Sequence, residues 1–229
     1  MAVKKTHEIK SKKLFDYDLS LNKVIVGTDE AGRGCGAGGV FASAVCFDKI
    51  SKELMESLSI LNDSKKLSRK HREEIFDIIK SETINSVVCI EVEEIERINI
   101  LNASLKAMNM ACSDVISRLP EDLKEKNLQV LVDGNRAIRN FTYPQKFIIK
   151  GDGTSASIAA ASILAKVSRD RYMDKLDAEF PQYKWADNAG YLTKEHMALI
   201  DKYGLSPYHR PSYLRKHFAK QEQLNLFNL

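Results

Sequence analysis

The sequence predicts an α/β or α+β domain in which a mixed β-sheet is covered by helices. Five short runs are rich in apolar and β-branched residues, and three longer runs carry apolar residues at three- and four-residue intervals. Two strands come first, and helices alternate with strands afterwards. With 229 residues, 44% of them hydrophobic, the chain is long enough to bury a core, so one globular domain with short appendages is expected.

The predicted strands lie at 24–26, 40–47, 87–92, 130–132 and 147–149, and the predicted helices lie at 69–80, 103–119 and 156–176. The connection between the first two strands is too short for a crossover helix, so these strands are predicted to form an antiparallel hairpin. Between 194 and 220, six Lys or Arg residues face two acidic ones. This stretch is either a surface that flanks a phosphate backbone or an ordinary solvated helical face.

Composition narrows the functional classes. The formal net charge of +4 permits nucleic-acid binding without demonstrating it. The four cysteines have no close paired spacing, which argues against a zinc ribbon or a disulfide framework. The first residues lack an apolar signal core, and no apolar run is long enough to cross a bilayer. A soluble, cytoplasmic protein that does not bind membranes is expected.

Acidic residues follow several predicted strands. Asp29 and Glu30 come after the first strand, Asp133 after the fourth, and Asp152 just after the fifth. Side chains at the ends of strands in one sheet can converge, and clustered carboxylates repel one another unless cations neutralise them. Mg²⁺ and Mn²⁺ prefer such oxygen ligands, so the pattern favours metal-assisted phosphoryl chemistry. The alternative is that each Asp only starts a turn or caps a helix.

The glycine-rich segment 34–39 formally satisfies the dinucleotide fingerprint G-x-G-x-x-G. That fingerprint must open a helix, whereas a strand-like run follows here. The glycines are better explained by close approach of the backbone to a bulky ligand, with Arg33 supplying positive charge.

The segment 29–34, Asp-Glu-Ala-Gly-Arg-Gly, resembles the signature of the ribonuclease HII family. Further matches follow in the same order at 62–68, 99–101, 132–135, 150–152, 157–167, 169–170, 190–191 and 209–210. The resemblance covers roughly residues 23–217. It implies the ribonuclease H-like fold, an α/β fold with a central mixed sheet flanked by helices and a small helical C-terminal region that grips the duplex.

The resemblance also implies a domain plan and an activity. Residues 1–22 are a basic N-terminal extension, 23–180 the catalytic domain, 181–220 the helical substrate-gripping region and 221–229 a tail. The chain is expected to be a monomeric endoribonuclease that hydrolyses the RNA strand of RNA–DNA hybrids. It is also expected to cut 5′ of single ribonucleotides in duplex DNA, leaving 5′ phosphate and 3′ hydroxyl ends, in DNA repair and replication.

The same resemblance assigns the site residues. The catalytic metal ligands, for two Mn²⁺ or Mg²⁺ ions about 4 Å apart, are Asp29, Glu30, Asp133 and Asp152. The substrate-binding residues that it implies are Gly32, Arg33 and Gly34 at the ribose, with Tyr191 stacking nearby. Side-chain chemistry adds Lys65, Lys66 and Lys150 as phosphate contacts, because a compact ammonium suits a single phosphate oxygen; the alternative is that they are plain surface lysines. Asp170 is excluded from the metal site, because a helix from 154 would carry it roughly 24 Å from Asp152.

Two features of the site are open at the level of sequence. Adjacent strand residues point to opposite faces, so Asp29 and Glu30 require a break or bulge, or Glu30 approaches the second metal from another direction. Ala189, Leu192 and Cys35 depart from the family pattern, in which Lys, Pro and Pro are common. These departures predict a lost phosphate contact, a looser loop around Tyr191 and a more flexible glycine-rich turn.

Rival functions and one further partner complete the predictions. A non-catalytic hybrid-binding protein is disfavoured because all four carboxylates are present. The type 3 ribonuclease H usually carries an extra N-terminal domain, whereas only about 23 residues precede the first strand here. The final residues resemble the peptide by which bacterial replication proteins bind the sliding clamp, through Gln223, Leu224, Leu226 and Phe227. The alternative is an apolar tail that folds back on the domain.

Overall fold

The computed structural model describes residues 2–62, 64, 67–124 and 127–227, and within 2–10 and 220–227 it describes only the backbone. The strands are β1 (Val24–Ala31), β2 (Val40–Cys46), β3 (Ile84–Ile90), β4 (Leu128–Asp133) and β5 (Gln145–Ile148). The helices are α1 (Ala2–Ser20), α2 (Lys52–Ser57), α3 (Arg69–Glu82), α4 (Val92–Ile98), α5 (Ile100–Ser117), α6 (Glu121–Lys124), α7 (Ala156–Glu179), α8 (Trp185–Asn188), α9 (Lys194–Tyr203) and α10 (Pro211–Phe227). All five predicted strands and all three predicted helices are present, with different ends.

The strands form one mixed sheet in the order β3-β2-β1-β4-β5. β1 pairs with β2 in antiparallel fashion, which confirms the predicted hairpin, and β2 pairs with β3 in the same way. β1 pairs with β4, and β4 with β5, in parallel. The acidic ends of β1 and β4 therefore lie at the same edge of the sheet.

Helices cover both faces of the sheet, α5 on one side and α7 on the other. α7 lies so close to β1 that a Cβ atom at Gly27 would stand 2.3 Å from the backbone nitrogen of Ile158. Glycine at this position and the small side chains of Ala159 to Ala161 permit the approach. The buried hydroxyl of Ser43 in β2 donates a hydrogen bond to the Ala161 carbonyl at 2.6 Å. The start of α7 is thus held firmly against the acidic end of β1.

The segment predicted as an N-terminal extension forms α1, whose C-terminal half packs into the core. Leu14 and Phe15 are buried beside α7. The Asp18 carboxylate accepts hydrogen bonds from the backbone N–H of Ser157, at 2.8 Å, and from its hydroxyl, at 2.7 Å. A carboxylate is a favourable cap for helix N-terminal N–H groups, so α1 stabilises the start of α7.

The C-terminal region forms a second, smaller core. Trp185, Tyr183 and Leu214 are buried there together with Met173 and Leu176 from the end of α7. α8, α9 and α10 therefore dock on the continuation of the helix that covers the acidic end of the sheet. In the described part of the chain, no helix is both long enough and apolar enough to span a membrane.

Candidate active site

Two of the predicted carboxylates stand on neighbouring strands. Thr28 of β1 is in register with Val132 of β4, so Asp29 and Asp133 follow one step later on the same face. Asp29 is buried and faces α7, where Ser162 hydrogen-bonds to it. Burial raises the pKa of the Asp29 carboxyl well above its ordinary value, and the negative charges of Glu30 and Asp133 raise it further. This arrangement favours a bound cation.

Of the two alternatives for Asp29 and Glu30, the structure has no break or bulge at these residues. β1 keeps regular antiparallel pairing with β2 through both residues and on to Ala31, which pairs with Phe41. Adjacent side chains on a regular strand point to opposite faces, so Glu30 reaches the region from a different direction than Asp29. Its carboxylate lies 3.1 Å from the Arg33 guanidinium. The chain turns only after Ala31, where Gly32 adopts a φ of +94°.

Asp133 is tied to the turn that carries Asp152. The backbone N–H of Gly151 donates to the Asp133 carboxylate at 2.6 Å. Residues Gly151–Gly153 form a single 3-10 turn directly before α7, and Asp152 is buried in it. Lys150, the residue before the turn, is exposed in a left-handed conformation. The structure therefore brings Asp29, Glu30, Asp133 and the turn that holds Asp152 to one end of the sheet.

The glycine-rich turn is held by two buried arginines. A Cβ atom at Gly32 would stand 2.1 Å from Nε of Arg169, so this position requires glycine for space as well as for its positive φ. Arg169 donates to the carbonyls of Ala37, at 3.0 Å, and Gly39, at 3.3 Å. Arg210 donates to the Gly32 carbonyl, at 2.9 Å, and twice to that of Gly38. The backbone of the turn is consequently rigid.

Tyr191 lies directly beside this turn. Its ring is half exposed, and its Cε1 atom is 3.9 Å from where a Cβ of Gly34 would stand. The loop is anchored through backbone groups on both sides of the ring, and the looser loop expected from Ala189 and Leu192 stays a prediction. The Gly190 carbonyl accepts from the N–H groups of Gly36, at 2.9 Å, and Ala37, at 3.2 Å. Arg169 also donates to the Ala189 carbonyl at 2.9 Å.

Leu192 and Cys35, two of the residues that depart from the family pattern, make contacts of their own. The Leu192 side chain packs over Gly36, where an added Cβ would stand 2.5 Å from it. Cys35 is fully buried, and its N–H donates to the Gly32 carbonyl at 3.3 Å. Apolar packing therefore restrains the glycine-rich turn at these positions. The greater flexibility expected of the turn stays a prediction.

A cleft of about 470 Å³ joins Asp29 and Glu30 to the glycine-rich turn and the Tyr191 loop. Its lining residues are Asp29, Glu30, Ala31, Gly32, Arg33, Gly34, Ser64, Arg72, Ser162, Lys166, Arg169 and Tyr191. Asp170 is engaged with two of the cations, at 2.6 Å from Lys166 and 3.7 Å from Arg72. Its exclusion from the metal site stays a prediction.

The donor set suits a hard divalent cation, although it is not a closed cage. No group of three or more His, Cys, Asp or Glu side chains takes a metal-ligating arrangement among the residues that the structure describes. Mg²⁺ typically keeps several waters and uses one or two carboxylates together with substrate phosphate. The repulsion that raises the pKa of Asp29 is relieved by such an ion. Asp29, Glu30, Asp133 and Asp152 are thus suitable ligands.

Several predicted residues lie outside the described structure. Lys65 and Lys66 are not among the described residues. For the tail, the backbone of α10 continues to Phe227, while the side chains of Gln223, Leu224, Leu226 and Phe227 lie outside what is described. Their roles as phosphate contacts and clamp-binding residues stay predictions.

Comparison with known proteins decides the family. A sequence model of the family described as Ribonuclease HII matches residues 26–221. The chain belongs to the ribonuclease HII family. The Ribonuclease HII of Fusobacterium nucleatum subsp. nucleatum is 46% identical over 218 residues, which is 94% of this chain and 97% of the relative. The chain is therefore a hydrolase, an endoribonuclease of the ribonuclease H type.

Solved structures confirm the ribonuclease H-like fold predicted for this ribonuclease HII family member. The PCNA:RNase HII complex from Archaeoglobus fulgidus matches with a TM-score of 0.63 at 22% identity, covering 82% of this chain and 93% of that chain. Bst-RNase HIII in complex with Mn²⁺ matches with a TM-score of 0.60 at 16% identity, covering 85% of this chain and 65% of that chain.

Sequence reasoning on this ribonuclease HII chain missed the residues that support the site. Arg169 belongs to a recognised motif, yet no role was predicted for it, and His196 was overlooked. Arg210 was counted among the basic residues of 194–220 that flank a phosphate backbone or form a solvated face, and its burial contradicts both interpretations. All three are at most 1% exposed. One signal was available, because Arg169 lies in the middle of an otherwise apolar face of α7, where a charged residue needs partners. Which partners it finds depends on residues 130 and 132 positions away.

Proposed function

We propose that this enzyme hydrolyses the RNA strand of RNA–DNA hybrids and also cuts on the 5′ side of single ribonucleotides in duplex DNA. The observation that carries the proposal is the position of Tyr191, whose ring stands beside Gly34 on the same cleft as Asp29 and Glu30. An aromatic ring next to exposed glycine backbone suits a sugar at a strand junction. The carboxylates lie where the neighbouring phosphate would be attacked.

Catalysis is proposed to require divalent ions, Mg²⁺ or Mn²⁺, held by Asp29, Glu30, Asp133 and Asp152. Bound ions would supply the activation of a water and the stabilisation of the departing 3′ oxygen, as in two-metal sites generally, leaving 5′ phosphate and 3′ hydroxyl ends. The related Bst-RNase HIII was solved with Mn²⁺. The Gly151 N–H holds the Asp133 carboxylate, and the regular pairing of β1 holds Asp29, so these ligands need little rearrangement.

Selectivity for RNA is proposed to reside in the turn Gly32, Arg33, Gly34. Only the 2′-hydroxyl distinguishes a ribonucleotide from a deoxyribonucleotide at one position. The buried guanidinium groups of Arg169 and Arg210 bind the carbonyls of this turn and its continuation. The remaining backbone groups are consequently presented in one conformation, which suits discrimination by a single hydroxyl.

Phosphate contacts are proposed for Lys65, Lys66 and Lys150, since a compact ammonium suits a single phosphate oxygen. Lys150 is exposed next to the turn that carries Asp152. Lys166 lines the cleft as well, 28% exposed, and its partner Asp170 holds it near Arg72. The cleft is therefore lined by the cations Lys166 and Arg72 as well as by the carboxylates of Asp29 and Glu30.

The test uses a labelled DNA duplex that contains one ribonucleotide. We expect one cut, on the 5′ side of the ribonucleotide, in Mg²⁺ or Mn²⁺ and none in EDTA. The matched control protein is Asp133→Asn, which retains an oxygen for the Gly151 N–H but loses the charge; it should bind the duplex without cutting it. A wild-type protein that cuts only long RNA runs would contradict the single-ribonucleotide activity, and cleavage by Asp133→Asn in Mg²⁺ would remove Asp133 from the site.

Clamp binding through residues 221–229 is proposed as a second property. The archaeal ribonuclease HII that resembles this chain was solved in complex with PCNA. In this chain, Gln223, Leu224, Leu226 and Phe227 combine a polar anchor with apolar side chains, a pattern that fits a groove on a partner. Tethering would raise the enzyme's effective concentration on new DNA, where misincorporated ribonucleotides arise.

A further inference from the structure

The backbone of Tyr191 is held by a buried histidine. Nδ1 of His196 lies 2.9 Å from the Tyr191 carbonyl oxygen. His196 is fully buried at the start of α9, while the Tyr191 ring is half exposed on the cleft. This contact and the Thr193 N–H, which donates to the same carbonyl at 2.8 Å, fix the peptide unit on the C-terminal side of Tyr191, and the Asn188 carbonyl accepts from the Tyr191 N–H at 2.9 Å. The ring is thus presented from a backbone fastened at both of its polar groups.

The hydrogen bonds around His196 allow one proton arrangement with both rings neutral. The Trp185 indole N–H, which can only donate, points at Nε2 of His196 at 3.1 Å. His196 therefore carries its proton on Nδ1, where it donates to the Tyr191 carbonyl. His209 accepts the Ser206 backbone N–H on Nδ1, at 2.9 Å, and so its own proton is on Nε2, 3.1 Å from Nε2 of His196.

Protonation of either ring would place donor against donor in this cluster. The pKa of His196 is lowered and that of His209 falls to about 4, in both cases chiefly because the rings are buried. Tyr183 packs edge-on against both rings. The adjacent Arg210 directs its guanidinium away, to Gly32 and Gly38. The two histidines are therefore neutral donors, and neither carries the charge expected of a phosphate contact.

We propose that His196 is a positioning residue, which sets the place of the Tyr191 ring beside Gly34 by donating its Nδ1 proton to the Tyr191 carbonyl. This inference rests on the proposed role of Tyr191 at the ribose. His209 and Trp185 determine which nitrogen of His196 carries the proton. Both direct an N–H at Nε2 of His196, so Nδ1 is the protonated nitrogen.

Two substitutions at His196 separate positioning from packing. In His196→Asn, the side-chain amide places an N–H near the position of Nδ1, where it can still donate to the Tyr191 carbonyl. In His196→Gln, the longer side chain places its amide near the position of Nε2, so the hydrogen bond to the Tyr191 carbonyl is lost. Tyr183→Phe is the matched control, because it removes a different hydrogen bond from the same cluster, 3.0 Å from the hydroxyl to the Gly204 carbonyl. Emission from Trp185, the only tryptophan of the chain, reports whether the cluster is intact in each variant.

On the single-ribonucleotide duplex, we expect His196→Gln to lower kcat/KM by about fivefold to tenfold, the typical effect of one lost hydrogen bond. His196→Asn should recover most of this loss, and Tyr183→Phe should equal the wild type. In a Tyr191→Ala background, His196→Gln should cause no further loss, because the ring that it positions is absent.

Equal activity of the glutamine and asparagine variants, with Trp185 emission unchanged, would overturn the inference. So would a full additional loss in the Tyr191→Ala background. If the wild type does not cut the single-ribonucleotide duplex, the proposed junction activity fails. The same four variants are then compared on a long RNA–DNA hybrid, where the same pattern supports the positioning role and equal rates overturn it.

Discussion

The two sides of the cleft satisfy their polar groups in opposite ways. On the sheet side, burial raises the pKa of the Asp29 carboxyl, and repulsion from Glu30 and Asp133 raises it further. On the helical side, the polar atoms around Tyr191 are paired by neutral or cationic donors, among them His196 and Arg169. The sheet side therefore lowers the stability of the free protein in favour of a cation, whereas the helical side contributes stability and rigidity.

The two sides of the cleft therefore meet different requirements: metal binding on the sheet side and a fixed backbone conformation on the helical side. A carboxylate cluster binds metal best when its charges are not already neutralised by the protein. A surface that must distinguish one hydroxyl group needs a single backbone conformation instead. Removing one group from each side should consequently have opposite effects on stability, although both changes impair the enzyme.

The largest effect is expected for Asp29→Asn. Cleavage should fall on the order of 100- to 1000-fold or more, because a proposed metal ligand is lost. In metal-free buffer the variant should nevertheless be more stable than the wild type, by about 1 kcal/mol, because the buried repulsion is relieved. Activity assays in Mg²⁺ and urea denaturation in EDTA measure the two effects. A variant less stable than the wild type would show that the carboxylate cluster is not strained.

The next effect concerns the arginine that links both sides. Arg169→Met leaves the carbonyls of Ala37, Gly39 and Ala189 without a donor in the protein interior. We expect a loss of about 3–5 kcal/mol in the free energy of unfolding.

Arg171→Met is the matched control, two residues along the same helix. Arg171 is 44% exposed, pairs with Glu73 and covers the Phe76 ring. Its replacement should cost less than about 1 kcal/mol. Urea denaturation of both variants at pH 7 measures the loss in free energy of unfolding of each. Similar losses would mean that the hydrogen bonds of Arg169 do not hold the turn in place.

A smaller effect is expected from pH on the helical side. The pKa of His209 falls from its ordinary value of 6.5 to about 4 in the folded protein. The unfolded chain therefore binds a proton more readily, so stability is retained above pH 6.5 and lost as pH falls towards 4. The contribution is about 3 kcal/mol over this window. In urea denaturation between pH 7 and pH 4, the free energy of unfolding should fall less steeply in His209→Gln than in the wild type. An equally steep fall would mean that another group causes the acid sensitivity.

The smallest effect on catalysis is expected from deletion of residues 221–229. Cleavage of a short free duplex should equal that of the full chain, because the described residues that line the cleft, from Asp29 to Tyr191, come from earlier in the chain. Binding to the bacterial sliding clamp in a pull-down should be abolished, and Leu226→Ala with Phe227→Ala should do the same in the full chain. Loss of activity or of fold on deletion would instead favour a tail that packs on the domain.

The sequence by itself determined the elements and the chemical type of the site. Strand and helix periods are local properties, so the hairpin of β1 and β2, the helix α7 and the carboxylates at strand ends were predictable. Ordered motifs then indicated the family. The choice between a break at Asp29 and Glu30 and an approach of Glu30 from another direction was open in the sequence, and the regular pairing of β1 favours the second.

Only the tertiary structure decided how the site is supported. An arginine or histidine can be an exposed charge or a buried side chain that hydrogen-bonds to backbone carbonyls. Which of the two it is depends on the carbonyls that surround it after folding. Arg210 meets Gly38 across 172 residues of chain, and His196 meets His209 only because α9 and the following loop pack on Trp185. Desolvation makes such hydrogen bonds obligatory, and burial of this kind has no local signature in the sequence.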